Sequence, residues 1–181
     1  MYEFALEVAA RASVEELGEV SHISRRDFDE RTTCTFLAQV PCLEYVSLLI
    51  ETAVLLRTNR AGRVYTGFQK LSRMKAIADR YLRIADLSER LYVFGEADWK
   101  PPRHPNMRIV HTPSGSKLAR EWIVVADSPS LRVALVAIED DRAAVAELEQ
   151  KHFRAIKTSD PALVERLADA AEQVIDNFLA A

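Results

Sequence analysis

The 181-residue chain is poor in cysteine, with only Cys34 and Cys42. Their separation matches neither a CxxC redox pair nor a zinc-ligand spacing, so two buried, reduced thiols are expected instead of a disulfide framework. Long hydrophobic runs are also missing. No segment approaches the ~18–20 apolar residues needed to span a bilayer, and the acidic N-terminal stretch does not resemble a signal peptide. These absences predict a cytoplasmic protein without a membrane partner. The four histidines, His22, His104, His111 and His152, are scattered and form no HxxxH or Cys/His cluster, so no metal site can be read from the sequence. Gly62-Arg-Val-Tyr-Thr-Gly67 has the glycine spacing of a phosphate loop. However, Phe68-Gln69 follows where a P-loop needs lysine and then serine or threonine. Internal repeats and low-complexity stretches are absent as well.

What remains is an ordinary globular composition, 49% hydrophobic and 28% charged, of a length that forms one domain with a real core. The net charge is −3, which argues against a dedicated nucleic-acid binder. The charge is unevenly spread. Residues 57–90 are strongly basic, while residues 1–30 and 138–181 are acidic. The basic segment offers either a surface for an anionic partner or a solvated helix face in which Asp79, Arg80, Arg83 and Asp86 pair with one another.

Hydrophobic periodicity predicts the elements in order. A helical stripe runs over residues 2–17, and a polar link over residues 24–33. Thr33–Val40 is rich in β-formers and reads as a strand ending at Pro41. A helix over residues 42–56 stops near Asn59 and Gly62. Strand 63–68, helix 71–86 and strand 90–95 follow. The proline-rich stretch 99–105 is a loop, residues 107–111 an edge strand and residues 112–116 a second loop. Arg120-Glu-Trp122 then opens a strand, Asp127-Ser-Pro-Ser130 turns it, and a second strand runs to Glu139. Two strands joined so closely must pair antiparallel. Beyond them, helices are expected over residues 143–156 and 161–179, the latter with Asp160 as N-cap and Pro161 at its first position. The expected fold class is α/β (α+β): a mixed β-sheet with a C-terminal antiparallel hairpin, flanking helices and a C-terminal helical extension. Residues 1–140 would form the main domain and residues 141–181 the extension, packed on it or on a dimer partner. Val164, Leu167, Ala171, Val174 and Phe178 form a short seam that suits either role.

Few residues carry evident chemistry. Glu96 and Asp98 follow a strand, where open α/β sheets gather ligand-binding groups. No nucleophile, oxyanion motif or cofactor signature accompanies them. Ser114-Gly-Ser-Lys117 reads as a flexible loop. Trp122, beside Arg120 and Glu121, is either a core aromatic or the wall of a ligand pocket.

Three stretches taken in order resemble the DICT sensory domain found in bacterial diguanylate cyclases, two-component kinases and helix-turn-helix regulators. They are the helix 43–51, the run from Gly67-Phe-Gln-Lys-Leu-Ser-Arg-Met74 through Arg80–Ala85 to Leu91–Phe94, and the Arg120-Glu-Trp122 strand with its hairpin to Glu139. The resemblance covers roughly residues 1–160, with 153–164 similar to a helical extension that often follows. Where the family commonly carries Phe-Gln-Arg, this chain has Phe68-Gln69-Lys70, which exchanges a planar fork for a point charge. The resemblance implies a non-catalytic sensory module that binds an unidentified small ligand or signalling protein and relays the event through its C-terminal helices, with a possible homodimer through the last one. Phe68, Gln69, Lys70, Arg73, Trp122 and Asp127 are the candidate ligand-binding residues. The cofactor is unknown. Two alternatives are an interaction adaptor using the basic segment, and an enzyme acting on a nucleotide or other phosphorylated compound with Glu96 or Asp98 as general base.

Overall fold

The computed structural model describes residues 1–56, 61–141 and 147–180. The strands are β1 Glu15–Glu19, β2 Thr33–Gln39, β3 Arg63–Lys70, β4 Arg90–Glu96, β5 Met107–His111, β6 Glu121–Ser128, β7 Leu131–Glu139 and β8 His152–Thr158. The helices are α1 Tyr2–Ala9, α2 Arg25–Glu30, α3 Val40–Leu55, α4 Ala78–Asp86 and α5 Pro161–Ala180. All eight strands join one mixed sheet in the order β1-β2-β8-β7-β6-β3-β4-β5, the mixed α/β architecture that the pattern predicts.

Both faces of the sheet are covered. Side chains alternate along each strand, so Trp122, Val124 and Ala126 of β6 face one core with α3 and α4, while Ile123 and Val125 face a second core with α1 and α5. This explains the near-continuous apolar runs of β6 and β7, since a strand buried on both faces shows no hydrophobic-polar alternation. β3, β4 and β5 run parallel, whereas β6 is antiparallel to β3. The C-terminal ends of β2, β3, β4 and β7 therefore share one rim with the N-terminal ends of β6 and β8. That rim carries the candidate site.

Several expectations need correction. Among the described residues, the predicted helix 143–156 is replaced by a single 3₁₀ turn, Leu148–Gln150, and by β8 over residues 152–158, antiparallel to β2 on one side and β7 on the other. Residues 142–146 and 57–60, including the expected helix stop at Asn59, lie outside the described residues. β8 was hidden by Lys157, which looks like a solvent residue but is only 2% exposed. Its ammonium donates to the carbonyls of Phe28 (2.7 Å) and Arg31 and lies over the Phe28 ring. Burial holds its pKa below the usual lysine value. The first helix ends at Ala9 rather than residue 17, and Glu15–Glu19 adds to the sheet edge parallel to β2. Within the "polar link", α2 is a capped helix. Ser24 Oγ accepts from the Asp27 amide at 3.0 Å and donates to the Asp27 carboxylate at 2.6 Å. The helix expected over 71–86 splits into a seven-residue 3₁₀ segment, Leu71–Ile77, and α4.

The β6–β7 hairpin is antiparallel as expected, with Ser128 opposite Leu131. The side chain that closes its turn is Ser128, whose Oγ accepts from the Leu131 amide at 3.0 Å. Asp127 instead accepts from Arg132 Nε across the strands at 2.9 Å. Asp160 does cap α5, accepting from the Leu163 amide at 2.9 Å. Of the α5 seam, Val164, Leu167 and Ala171 are buried against the chain's own sheet and α1, with Val174 and Phe178 packed at the margin. Cys34 and Cys42 are buried free thiols whose pKa burial raises. Among the described residues, no helix is long and apolar enough to cross a membrane.

Candidate functional site

Where α3 leaves the end of β2, it runs back along one face of the sheet over β7 and β6, beside β3. A cavity of about 450 Å³ opens between them, within the about 300–1,000 Å³ range of small-molecule sites. One stripe of α3 (Glu44, Ser47, Leu48, Glu51) forms one wall, residues at helical spacing that share a face. The end of β3, the 3₁₀ segment and the start of α4 form the opposite wall, and Trp122 and Val124 of β6 form the floor.

A buried polar network fixes the inner end. Tyr81, fully enclosed, donates its hydroxyl hydrogen to Glu51 at 2.5 Å. With that hydrogen committed, the 3.1 Å contact between Thr66 Oγ1 and the Tyr81 hydroxyl is donated by Thr66. Arg80 completes the set, its guanidinium 3.2 Å from Glu51. Burial still raises the Glu51 pKa above the usual carboxylate value, with Tyr81 and Arg80 opposing it. The same carboxylate pushes the Tyr81 phenol, already desolvated, further up. Trp122 is positioned twice, by an Nε1 hydrogen bond to Ser47 at 2.9 Å and by an edge-to-face contact with Phe153 at 6.1 Å.

Arg73 differs from Arg80. It projects from the 3₁₀ segment, half-buried in the cavity wall, and has no hydrogen bond or ion pair among the described residues. Burial lowers its pKa, while Glu139, Glu149 and Asp98 oppose this from beyond ion-pair distance. The segment beneath it is unusual, because 3₁₀ runs longer than three or four residues are uncommon. It is pinned at its start by Asp98, which accepts from the Ser72 amide (2.9 Å) and hydroxyl (2.5 Å). Gly95 also presses on it: a Cβ there would lie 2.9 Å from the Phe68 carbonyl oxygen and 2.8 Å from Leu71 Cδ2.

Four of the six candidate residues, Phe68, Gln69, Arg73 and Trp122, line this cavity together. Lys70 is exposed beside β4, opposite Glu96 in the ladder, and is not in the wall. Asp127 sits five residues along β6 from Trp122, about 17 Å away at the other end of the sheet, where it faces Arg63 in the ladder. Glu51, Tyr81, Thr66 and Ser47 were missed. A faint signal existed in α3, where Glu44, Ser47 and Glu51 interrupt an otherwise apolar helix at a spacing that places them on one face.

The other candidates have local duties. Asp98 caps the 3₁₀ segment, and Ser72 holds its pKa below the usual carboxylate value. The Glu96 carboxylate accepts weakly from the Gly115 amide at 3.3 Å. Ser116, in the second loop, caps a short turn by accepting from Ala119. Arg80 and Asp86 pair with Glu51 and His104 in preference to neighbours on α4. No cluster of three potential metal ligands occurs among the described residues. A second depression, more polar, lies along the edge strand β5 between Lys100, Arg103, Arg108 and His111.

Comparison with known proteins identifies the family. Residues 43–140 match the DICT family, described as the sensory domain in diguanylate cyclases and two-component systems, a shorter span than the residues 1–160 expected. No curated protein matches the chain. Among solved structures, the fold resembles part of polyphosphate kinase from Porphyromonas gingivalis, with a TM-score of 0.52 and 13% identity over 79% of this chain. The chain spans 26% of that kinase's length, and what the two share is fold. A phospholipase D family member, Nuc, from Salmonella typhimurium aligns with a TM-score of 0.40 and 11% identity, over 78% of this chain and 93% of that one. The matched family segment spans more than half of the 181 residues, holds the 3₁₀ segment and nearly all of the cavity wall, and makes this chain a member of the DICT sensory-domain family.

Proposed function

We propose that this chain is a non-catalytic, cytoplasmic sensory module in which a small ligand occupies the cavity between α3, the 3₁₀ segment and β6. The observation that carries this reading is the cavity itself. It lies in the family segment, it is roomy enough for a ligand, and one wall is a seven-residue 3₁₀ run, longer than such runs usually are. A ligand shifts a conformational equilibrium only by binding the two states differently. A ligand that drew the Leu71–Ile77 wall from its 3₁₀ geometry toward α would supply two such states, and Arg73 and Ile77 would report the difference directly.

The route to the C-terminal helix is short. Thr66 of β3 joins the cavity network, while its neighbour Tyr65 points to the other face and donates to Glu172 of α5 at 2.7 Å. Arg63 on the same strand binds the same carboxylate, also at 2.7 Å. A twist of β3 would therefore move α5, which would pass the signal to a partner protein or a second copy.

The test is thermal unfolding in the presence of metabolite and nucleotide panels, run on the wild type and on Leu48→Trp. Leu48 is 37% exposed at the cavity mouth, so a larger ring there obstructs entry without overpacking the core. A compound that raises the wild-type midpoint but not that of Leu48→Trp supports the reading. Panels without effect, or effects unchanged by Leu48→Trp, contradict it.

A second reading draws on the basic depression at β5. An adaptor would dock an acidic partner along this edge and need no small ligand. It predicts a salt-sensitive complex lost on Arg103→Glu with Arg108→Glu and unaffected by Leu48→Trp.

A further inference from the structure

Resting on the cavity reading above, we infer that the ligand is a small carboxylate with an apolar, one- or two-ring body, its carboxylate held by the Arg73 guanidinium and the Gln69 amide.

A guanidinium withdrawn from water without a counter-ion is costly unless something else neutralises it. Two arginines line this cavity, and only Arg80 has a protein carboxylate, Glu51 at 3.2 Å. Arg73 has none among the described residues. The side-chain amide of Gln69, half-buried four residues before it in the same wall, likewise has no hydrogen-bond partner among the described residues. Together they leave a planar fork and an amide N–H unclaimed among the described residues that line the cavity. That donor set fits the two oxygens of a carboxylate, which a guanidinium grips in bidentate fashion.

The remaining walls define the rest of the molecule. Phe68, Ile77, Trp122 and Val124 present apolar surface. The Trp122 Nε1 hydrogen is already given to Ser47, so the indole offers its face rather than a donor. The Glu51 carboxylate is occupied by Tyr81 and Arg80. Acidic groups set the upper limit on ligand charge. Glu44 stands exposed at the mouth, and Glu139, Glu149 and Asp98 exert longer-range fields on Arg73. One unpaired cation among the described lining residues, in those surroundings, suits a monoanion and disfavours a dianion or polyphosphate. The 450 Å³ volume lies in the lower half of the small-molecule range, which limits the body to one or two rings.

Isothermal titration of the full chain with phenylacetate, 3-phenylpropionate and indole-3-acetate, against their primary amides and phenyl phosphate, tests this. The expected result is that at least one carboxylate binds about 10-fold or more tighter than its amide and than phenyl phosphate. Arg73→Gln should weaken that carboxylate about 10- to 100-fold, the range of a lost charge-assisted hydrogen bond, and leave amide binding unchanged. Circular dichroism on Arg73→Gln checks that it folds, and Arg73→Lys should recover only part of the affinity. Amides binding as well as acids, phenyl phosphate binding best, or indifference to Arg73→Gln would each overturn the carboxylate assignment. If those probes still bind and Leu48→Trp blocks them, the cavity reading survives without it. If no probe binds while protein from cells carries a small-molecule adduct, the ligand class alone fails.

Discussion

Tyr81→Phe removes one oxygen atom and leaves the ring, so its effect isolates the polar network at the inner end of the cavity. In the folded chain the Tyr81 hydroxyl donates to Glu51 at 2.5 Å and accepts from Thr66 at 3.1 Å, with Tyr81 itself 1% exposed. Deleting it leaves the Thr66 hydroxyl without its acceptor and removes from Glu51 a donor that favours its charged form. A hydrogen bond to a charged group contributes about 1.5–3 kcal/mol, and Arg80, partly exposed, can compensate only in part. A loss of about 2–3 kcal/mol is expected at pH 8. The loss should shrink at pH 5. Glu51 has a folded-state pKa raised by burial, so its contribution to stability is greatest below the unfolded value and declines as pH climbs through the folded one. Removing the Tyr81 donor raises that pKa further, and protonation at low pH then relieves the orphaned charge. Urea denaturation at the two pH values provides the assay. A loss under 0.5 kcal/mol at pH 8, or an equal loss at both, would refute the buried charged network.

Three further predictions follow from single observations. Lys157→Met should cost about 2–4 kcal/mol, because the carbonyls of Phe28 and Arg31 lose their shared donor inside the protein; denaturant midpoints check it, and a neutral result would mean that the ammonium is not needed there. Gly95→Ala should displace the 3₁₀ segment, since the added Cβ meets the Phe68 carbonyl and Leu71. We expect about 1–3 kcal/mol of destabilisation and faster amide exchange over 71–77 than elsewhere, measured by hydrogen–deuterium exchange. Asp160→Ala, which removes the α5 cap, should cost about 1 kcal/mol in a thermal melt.

Element type was legible wherever one physical signal dominated. The β6–β7 hairpin declared itself through two apolar runs and a proline turn, α3 through its apolar stripe, and α5 through Asp160-Pro161. β8 was not legible, because a strand buried on both faces next to a helix-like Ala- and Glu-rich stretch has no period of its own, and Lys157 counterfeits a solvent position. β1, with the sequence Glu-Glu-Leu-Gly-Glu, owes its strand geometry to pairing with β2 and has no local β preference. The short helix α2 was readable in principle from Ser24 and Asp27. The site divided along similar lines. Phe68, Gln69, Arg73 and Trp122 could be guessed as an ordered pattern, but Asp127 and Lys70 could not be excluded, because alternation and strand length decide which rim a residue occupies. Glu51 and Tyr81 come from different helices, 30 residues apart, and only the tertiary fold makes them partners.

The cavity is expected to hold a small molecule in the working protein. Native mass spectrometry of the chain taken directly from cells addresses it most directly, with Leu48→Trp prepared in parallel. A discrete non-covalent adduct of low mass is expected on the wild type, lost or strongly reduced in Leu48→Trp. The bare chain mass in both preparations, or an adduct equally abundant in both, would contradict it.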